Sequence, residues 1–321
     1  MLSGKHAYQA HKLTFYTAGL LGAVPPRGLF RRRRRALLAA FDALPAAEQE
    51  AIMARVAYYN RLDASTPLGE GATCNRTFAL RAQKSTYHLD FYRIAKYFSP
   101  KAAYHYRFGD KTCVPEVPTF VKSRPIHGNN ANSVLLKLDS VRHFYTVKDT
   151  QSYADKKDAL VWRGAAHQPH RRRFLEQCYG APRCDIGATD SKSETAPYQR
   201  PFMPIEQQLE HKFIFSIEGN DVATNLKWIM ASNSLCFMKR PIFETWFMEG
   251  ALVPGYHYVE VKDDFSDLEA QIDYYLTHPE KARAIIRNAN RYIAEFFRPR
   301  HERLIALKVF ERYLRRTEQA I

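Results

Sequence analysis

The 321-residue chain carries 48 Lys and Arg against 33 Asp and Glu, a formal charge of 48 − 33 = +15, and is 45% hydrophobic and 25% charged. That balance indicates a soluble globular protein of one large or two ordinary domains, with anionic partners: nucleotide, phospholipid headgroup, phosphorylated glycan or nucleic acid. Five scattered cysteines (Cys74, Cys113, Cys178, Cys184 and Cys236) fit neither a disulfide framework nor a zinc site, and no run reaches the length of a membrane span.

In chain order, Leu13 to Val24 is short and mildly apolar and lacks a cleavage site, so no signal peptide is expected. After Pro25-Pro26-Arg27-Gly28 come five arginines, Arg31 to Arg35, leading into a helix with Phe30, Leu37, Phe41 and Leu44 near one face. Such a helix either rests on an anionic membrane surface or packs as a basic solvated helix. Nucleic acid is a weaker partner, because no base-stacking aromatics interleave the run. Helices are predicted over Ala46 to Arg61 and Ser85 to Phe98. Strands are predicted at Tyr104 to Phe108, Val117 to Val121, Ser133 to Leu138 and Phe144 to Val147.

A polar stretch at Tyr153 to Asp158 places a domain boundary near residue 152, giving domains 1–152 and 153–321. The second half alternates strand and helix: strands at Leu160 to Trp162, Phe213 to Ile217, Leu235 to Met238 and Tyr258 to Val261, and helices at His170 to Tyr179, Val222 to Met230, Ser266 to Thr277 and Pro279 to Phe296. This pattern predicts an α/β fold with a parallel sheet. A last helix, Arg300 to Arg316, is placed so that it could return over the first domain.

The centre of the second half is Lys212 to Lys227. Its apolar strand breaks at Glu218-Gly219-Asn220-Asp221, and Asn220 or Asp221 is positioned to cap the next helix. A helix N-terminus after a tight glycine turn suits a phosphate, although any α/β protein has several such turns. Arg163 and Gly164 close a predicted strand, and Arg171 to Arg173 open a helix; strand-end arginines either fork onto phosphate oxygens or are surface charges. Lys227 lies inside its predicted helix, where it contacts the ligand or snorkels. Glu244 and Glu249 either hold ribose hydroxyls or sit on a helix surface. Asp110, ending Arg107-Phe-Gly-Asp110, is a candidate general base or a turn residue, with Asp90 and Asp139 as competitors. His167 and His170 lack a nearby carboxylate, and Asp263, Asp264 and Asp267 read better as a helix start than as a Mg²⁺ site.

Taken in order, Lys122-Ser-Arg-Pro-Ile126, Asn132-Ser-Val-Leu-Leu136, Val161-Trp-Arg-Gly164, Ile217 to Trp228 and Pro254-Gly-Tyr-His-Tyr-Val259 resemble glycosyltransferase family 90, the CAP10-domain family, most closely its bacterial lipopolysaccharide branch. The resemblance covers the chain from about Ser85 to its end. It implies a GT-B fold, two Rossmann-like domains facing across a cleft, and an inverting transferase that moves a sugar, glucose or xylose, from a UDP-sugar to a hydroxyl of a lipopolysaccharide or other surface-glycan acceptor, with no metal or other cofactor. It further implies Asp110 as catalytic residue, though Phe108-Gly109 separate it from Arg107 where the family spacing differs. Donor contacts fall on Arg163, Gly164, Arg171, Gly219, Asn220, Asp221 and Glu244; Asn225 stands where animal members carry an Arg, which shifts phosphate contact toward Lys227. Lys122 and Arg124 fall on the acceptor side. The expected partners are a UDP-sugar and a glycan or lipid-linked saccharide, with contact to an anionic membrane and none to nucleic acid. The expected location is the cytoplasm, at most peripheral at the inner membrane. A metal-dependent transferase using Asp263 to Asp267, or a non-catalytic polyanion- or membrane-binding protein, are the competing expectations.

Overall fold

The computed structural model describes residues 4–190 and 195–320. They form two compact units: residues 10–142, 242–248 and 296–320 make the first, and residues 4–9, 143–241 and 249–295 the second.

The opening segments are helical: α1 (Gly4–Leu21), α2 (Arg27–Asp42) and α3 (Ala46–Tyr59). Strand β1 (Thr73–Cys74) and helix α4 (Ser85–Ala95) precede β2 (Ala103–Arg107), β3 (Thr119–Val121), β4 (Arg124–Pro125), β5 (Ser133–Leu135) and the single turn α5 (Ser140–His143). β2, β3 and β5 run parallel, with β1 antiparallel on the outer edge of β2. Phe144 to Val147, predicted as a strand, is irregular, because the chain leaves α5 with no neighbouring strand to pair with.

The second unit begins with β6 (Lys157–Gly164), α6 (Pro169–Cys178), β7 (Cys184–Ala188), α7 (Ile205–Gln208), β8 (His211–Ser216), α8 (Leu226–Met230) and β9 (Leu235–Met238). A two-residue strand β10 (Phe243–Glu244) belongs to the first unit, where it pairs antiparallel with β4. The chain then adds β11 (Val259–Glu260), α9 (Leu268–Thr277) and α10 (Pro279–Ala294) to the second unit, and α11 (Pro299–Arg316) to the first.

The five strands of the second unit are all parallel, in the order β11-β9-β8-β6-β7. Leu160, Phe213, Ile214, Phe215, Leu235 and Phe237 are fully buried, as expected of parallel strands covered on both faces. α10 contributes Ala282, Ile285, Ile286, Ala289 and Ile293, an apolar stripe at helical spacing, to the buried side. From β6 the chain steps out to β7, returns past β6 to β8, and continues to β9 and β11. The direction of winding therefore reverses between β6 and β8, and in open α/β sheets the crevice beyond the carboxyl ends of such a pair receives ligands.

The core of the first unit is aromatic. Phe120 of β3 stacks on Tyr313 and Phe310 of α11, with ring centroids 4.2 and 4.8 Å away, and Phe98 stacks on Phe310 at 4.4 Å. From the excursion at 242–248, Trp246 stacks on Tyr59 at 3.9 Å with the planes 7° apart, and donates its indole N–H to Glu302 Oε2 at 2.7 Å.

Candidate active site

Two clusters of polar groups stand at the carboxyl ends of the two sheets.

In the second unit, Gly164 ends β6 beneath the indole of Trp162; a Cβ there would lie 2.6 Å from the ring, so only glycine fits. The Trp162 ring lies 5.8 Å from the guanidinium of Arg171, which is carried on the first turn of α6. Arg171 spans the reversal between β6 and β8. Its Nη1 donates to Ala165 O at 3.1 Å, its Nη2 to Ile217 O at 3.0 Å and its Nε to Glu218 O at 2.8 Å. These three bonds use three of five N–H donors. Among the described residues no carboxylate pairs with Arg171, and burial alone pulls its pKa down from the usual guanidinium value. A half-buried cation held by carbonyls and lacking a counter-charge is a site prepared for an anion.

The turn facing it differs from expectation. The helix predicted from Val222 starts only at Leu226 and spans five residues. Asn225 ties the loop down, its Nδ2 donating to Phe215 O at 2.9 Å, while Val222 and Ala223 are buried as an irregular plug. Neither Asn220 nor Asp221 caps that helix: Gly219 N–H closes a tight turn onto Asp221 O at 2.9 Å, Asp221 is buried, and Asn220 Oδ1 accepts from Gln168 Nε2. The helix N-terminus at this crevice is therefore that of the ten-residue α6, which carries Arg171.

Arg163 pairs with the neighbouring strand: Nη2 meets Asp185 Oδ1 at 2.5 Å, and Nη1 donates to the Asp185 and Trp162 carbonyls. Lys227 is enclosed with Glu249, Nζ to Oε1 at 2.5 Å, where each neutralises the other away from solvent. His170 donates from Nε2 to Glu218 O, 2.7 Å away, and burial lowers its pKa.

In the first unit, Gly109 adopts φ +110°, a conformation reserved for glycine, and turns the chain so that Asp110 follows β2 at the sheet's carboxyl end. Asp110 Oδ1 accepts from Lys122 Nζ, from Tyr87 OH at 3.0 Å and from Arg142 Nη2 at 3.0 Å. Oδ2 has a 3.4 Å contact with Arg142. Burial would raise this carboxyl, but Lys122 and Arg142 outweigh it and hold the pKa at about 2. Arg142 also places Nε 2.8 Å from Asp139 Oδ2. Asp90, the other competitor, is buried, paired with Arg93 at 3.0 Å and bonded by Ser140 N–H at 2.7 Å; burial pushes its carboxyl up to about 6.

Lys122 thus belongs to the Asp110 cluster. Arg124, also expected on the acceptor side, is fully buried; Nε meets Glu244 Oε1 at 2.8 Å, and the remaining donors reach the carbonyls of Tyr58, Tyr59 and Ser133. Glu244 lies in the same knot, contacted by Arg61 at 3.2 Å and by the Tyr58 hydroxyl, and belongs to the first unit with Arg124. Tyr87 and Arg142 were missed in the sequence, since an isolated Tyr in a helix and an Arg in a one-turn segment carry no pattern. Asp263 pairs with Lys239 at 2.9 Å, Asp264 accepts from Ser266 N–H and Asp267 from Lys262 N–H. Among the described residues no three His, Cys, Asp or Glu side chains are grouped to hold a metal ion, and no helix is long and apolar enough to cross a membrane.

The model of the family named Glycosyl transferase family 90 matches residues 135–316. Over 307 residues, 95% of this chain and 96% of the relative, the sequence is 49% identical to the O-glucosyltransferase LpsA of Dichelobacter nodosus.

Proposed function

Since this chain belongs to glycosyl transferase family 90 and is a glycosyltransferase, we propose that it moves glucose from a UDP-sugar to a hydroxyl of a lipopolysaccharide or related surface-glycan saccharide, with inversion and without a metal. The observation that carries this reading is Arg171, a half-buried guanidinium at the reversal of the parallel sheet with no acidic partner among the described residues. The donor diphosphate takes the place of the missing counter-charge, met by the two remaining N–H donors of Arg171 and the first turn of α6. Gly164 and Gly219 keep that guanidinium in place, and Arg163 contributes charge while fastened to Asp185.

Asp110 is read as the base. The acceptor oxygen attacks the anomeric carbon as the bond from that carbon to the β-phosphate oxygen breaks, and the bonding pair leaves with UDP. Cationic character spreads over the ring in the transition state. The proton passes last, from an acceptor oxygen already bonded to carbon and strongly acidic, to Asp110 Oδ2. A carboxylate weakened by Lys122 and Arg142 suffices for so late a transfer. Preorganised charge at Arg171 supplies the electrostatic stabilisation that a divalent cation supplies elsewhere. The division into two units, each with parallel strands, supports a GT-B enzyme with an acceptor unit and a donor unit. Glucose as the transferred sugar is taken from the activity in the relative's name.

The test is a screen of UDP-sugars for a rise in melting temperature, followed by transfer assays on purified glycan acceptors with and without EDTA. UDP-glucose should stabilise the protein most and EDTA should leave the rate unchanged. A chain whose melting ignores every UDP-sugar, or whose transfer stops in EDTA, does not work this way.

A further inference from the structure

The α1–α2 corner carries a surface that donor and acceptor binding do not explain. α1 packs inward through Phe15 and Gly19; Phe15 joins Leu89 and Val141, and a Cβ on Gly19 would meet Leu89 at 3.0 Å. On the opposite side Leu13, Leu20 and Leu21 are each more than half exposed, and Val24 and Leu29 continue the bare apolar surface through the turn into α2. Within α1, Leu13, Leu20 and Leu21 fall on one side at helical spacing, away from Phe15 and Gly19.

Beside this stripe the chain is wholly basic. No Asp or Glu occurs before Asp42, whereas Lys12, Arg27 and Arg31 to Arg35 do. Arg31, Arg32, Arg33 and Arg35 are exposed, while Arg34 lies 4.9 Å over the ring of Phe98. Under the turn, Lys96 is buried with Nζ donating to Gly22 O at 2.7 Å, 4.0 Å over the ring of Phe30. No carboxylate pairs with Lys96 among the described residues, and burial, with Arg93, Arg303 and Arg33 close by, lowers its pKa to about 8. The base of the corner therefore holds one lysine ammonium beside the arginines of its flank. No described helix spans a membrane, but a helix pair with an apolar ridge and an arginine flank suits the plane of an interface.

We propose that the α1–α2 corner docks this enzyme on an anionic lipid bilayer, with Leu20, Leu21, Val24 and Leu29 entering the headgroup–acyl boundary and Arg31, Arg32, Arg33 and Arg35 meeting lipid phosphates. Charge complementarity selects this occupant. The flank lacks any carboxylate to pair with a second copy's arginines, and the apolar ridge has no counterpart in nucleic-acid binding. The inference stands independently of the donor and acceptor assignments.

The full-length protein is sedimented with vesicles of phosphatidylcholine alone and of equal parts phosphatidylcholine and phosphatidylglycerol. The protein should bind the anionic vesicles, release with salt and ignore the neutral ones. Leu20→Asp with Leu21→Asp should weaken binding about a hundredfold, because two apolar anchors are replaced by charges repelled from the surface. Arg31, Arg32, Arg33 and Arg35→Gln should weaken it about a hundredfold or more. Both variants alter exposed side chains, so their melting temperatures and their transfer to a soluble acceptor should match the parent. Equal binding to neutral vesicles, or undiminished vesicle binding by the leucine variant, overturns the proposal. So does a change from dimer to monomer in the leucine variant with vesicle binding intact, or RNA binding that outcompetes the vesicles.

Discussion

A methyl group placed on Gly219 would stand 3.1 Å from Nη2 of Arg171. The guanidinium is already held by the carbonyls of Ala165, Ile217 and Glu218, so it cannot yield without losing a bond. Gly219→Ala should displace it by a few tenths of an ångström. Donor KM should rise about tenfold, with folding stability changed by less than about 1 kcal/mol. Arg171→Lys removes the planar fork and should lower donor affinity about a hundredfold, measured by calorimetry with UDP. Wild-type affinity in Arg171→Lys would remove this residue from the donor site.

Asp110→Asn should abolish transfer and leave the melting shift produced by UDP intact, because the nucleotide is assigned to the other unit. An active Asp110→Asn enzyme would end the role of this carboxylate as base.

The same residue gives a pH signature. Its folded pKa of about 2 lies below the 3.8 of an unperturbed aspartate, so its stabilisation is fully present above pH 3.8 and is lost as pH falls toward 2. From the shift, the contribution at neutral pH is about 2 kcal/mol. Asp90, raised to about 6, already holds its proton in the folded chain throughout that window and takes one up only in the unfolded chain, an opposite contribution that is common to the wild type and Asp110→Asn and cancels in their comparison. Urea unfolding between pH 4 and 2, run on the wild type and on Asp110→Asn, should show a steeper loss for the wild type by about that amount.

Lys227 and Glu249 are 0% and 1% exposed. Removing one partner leaves an uncompensated charge in the interior, so Lys227→Met should destabilise the fold by about 3–5 kcal/mol in denaturant unfolding. Replacing both, Lys227→Met with Glu249→Leu, should recover most of that loss. A single variant as stable as the wild type would mean that the pair is not closed to water.

Glu244 is the counter-ion of buried Arg124 and accepts from Tyr58, whose hydroxyl is pushed up by burial and by that carboxylate. Glu244→Gln should therefore cost about 3–5 kcal/mol of stability. Donor KM, measured at a temperature where the variant remains folded, should not change. A raised KM with unchanged stability would return Glu244 to the ribose.

The alternation of the second half was legible because period and punctuation agree: Phe213 to Ile217 and Leu235 to Met238 are short apolar runs, and Pro279 begins a striped helix. β7 leaves no signature in the sequence, because Cys184-Asp-Ile-Gly-Ala188 neither alternates cleanly nor forms an apolar run. The helix after Gly219 begins at Leu226, four residues later than the sequence predicts. Val222 and Ala223 have helical neighbours in sequence, yet the side chain of Asn225, bonded to Phe215 O, closes the loop first.

Of the candidate residues, the sequence by itself determined the motif order, the basic character and the turn at Gly109, because these depend on local backbone and composition. Only the tertiary structure decided which charges are spent. Lys227, Arg124 and Glu244 look like ligand contacts in one dimension, but burial obliges each to find a partner within the fold. Arg171 looks like any surface arginine, yet the return of the chain past β6 to β8 sets it half-buried among carbonyls with no acid paired to it among the described residues. Pairing across 120 residues, as between Arg124 and Glu244, leaves no local trace, because the interior selects partners by proximity in space.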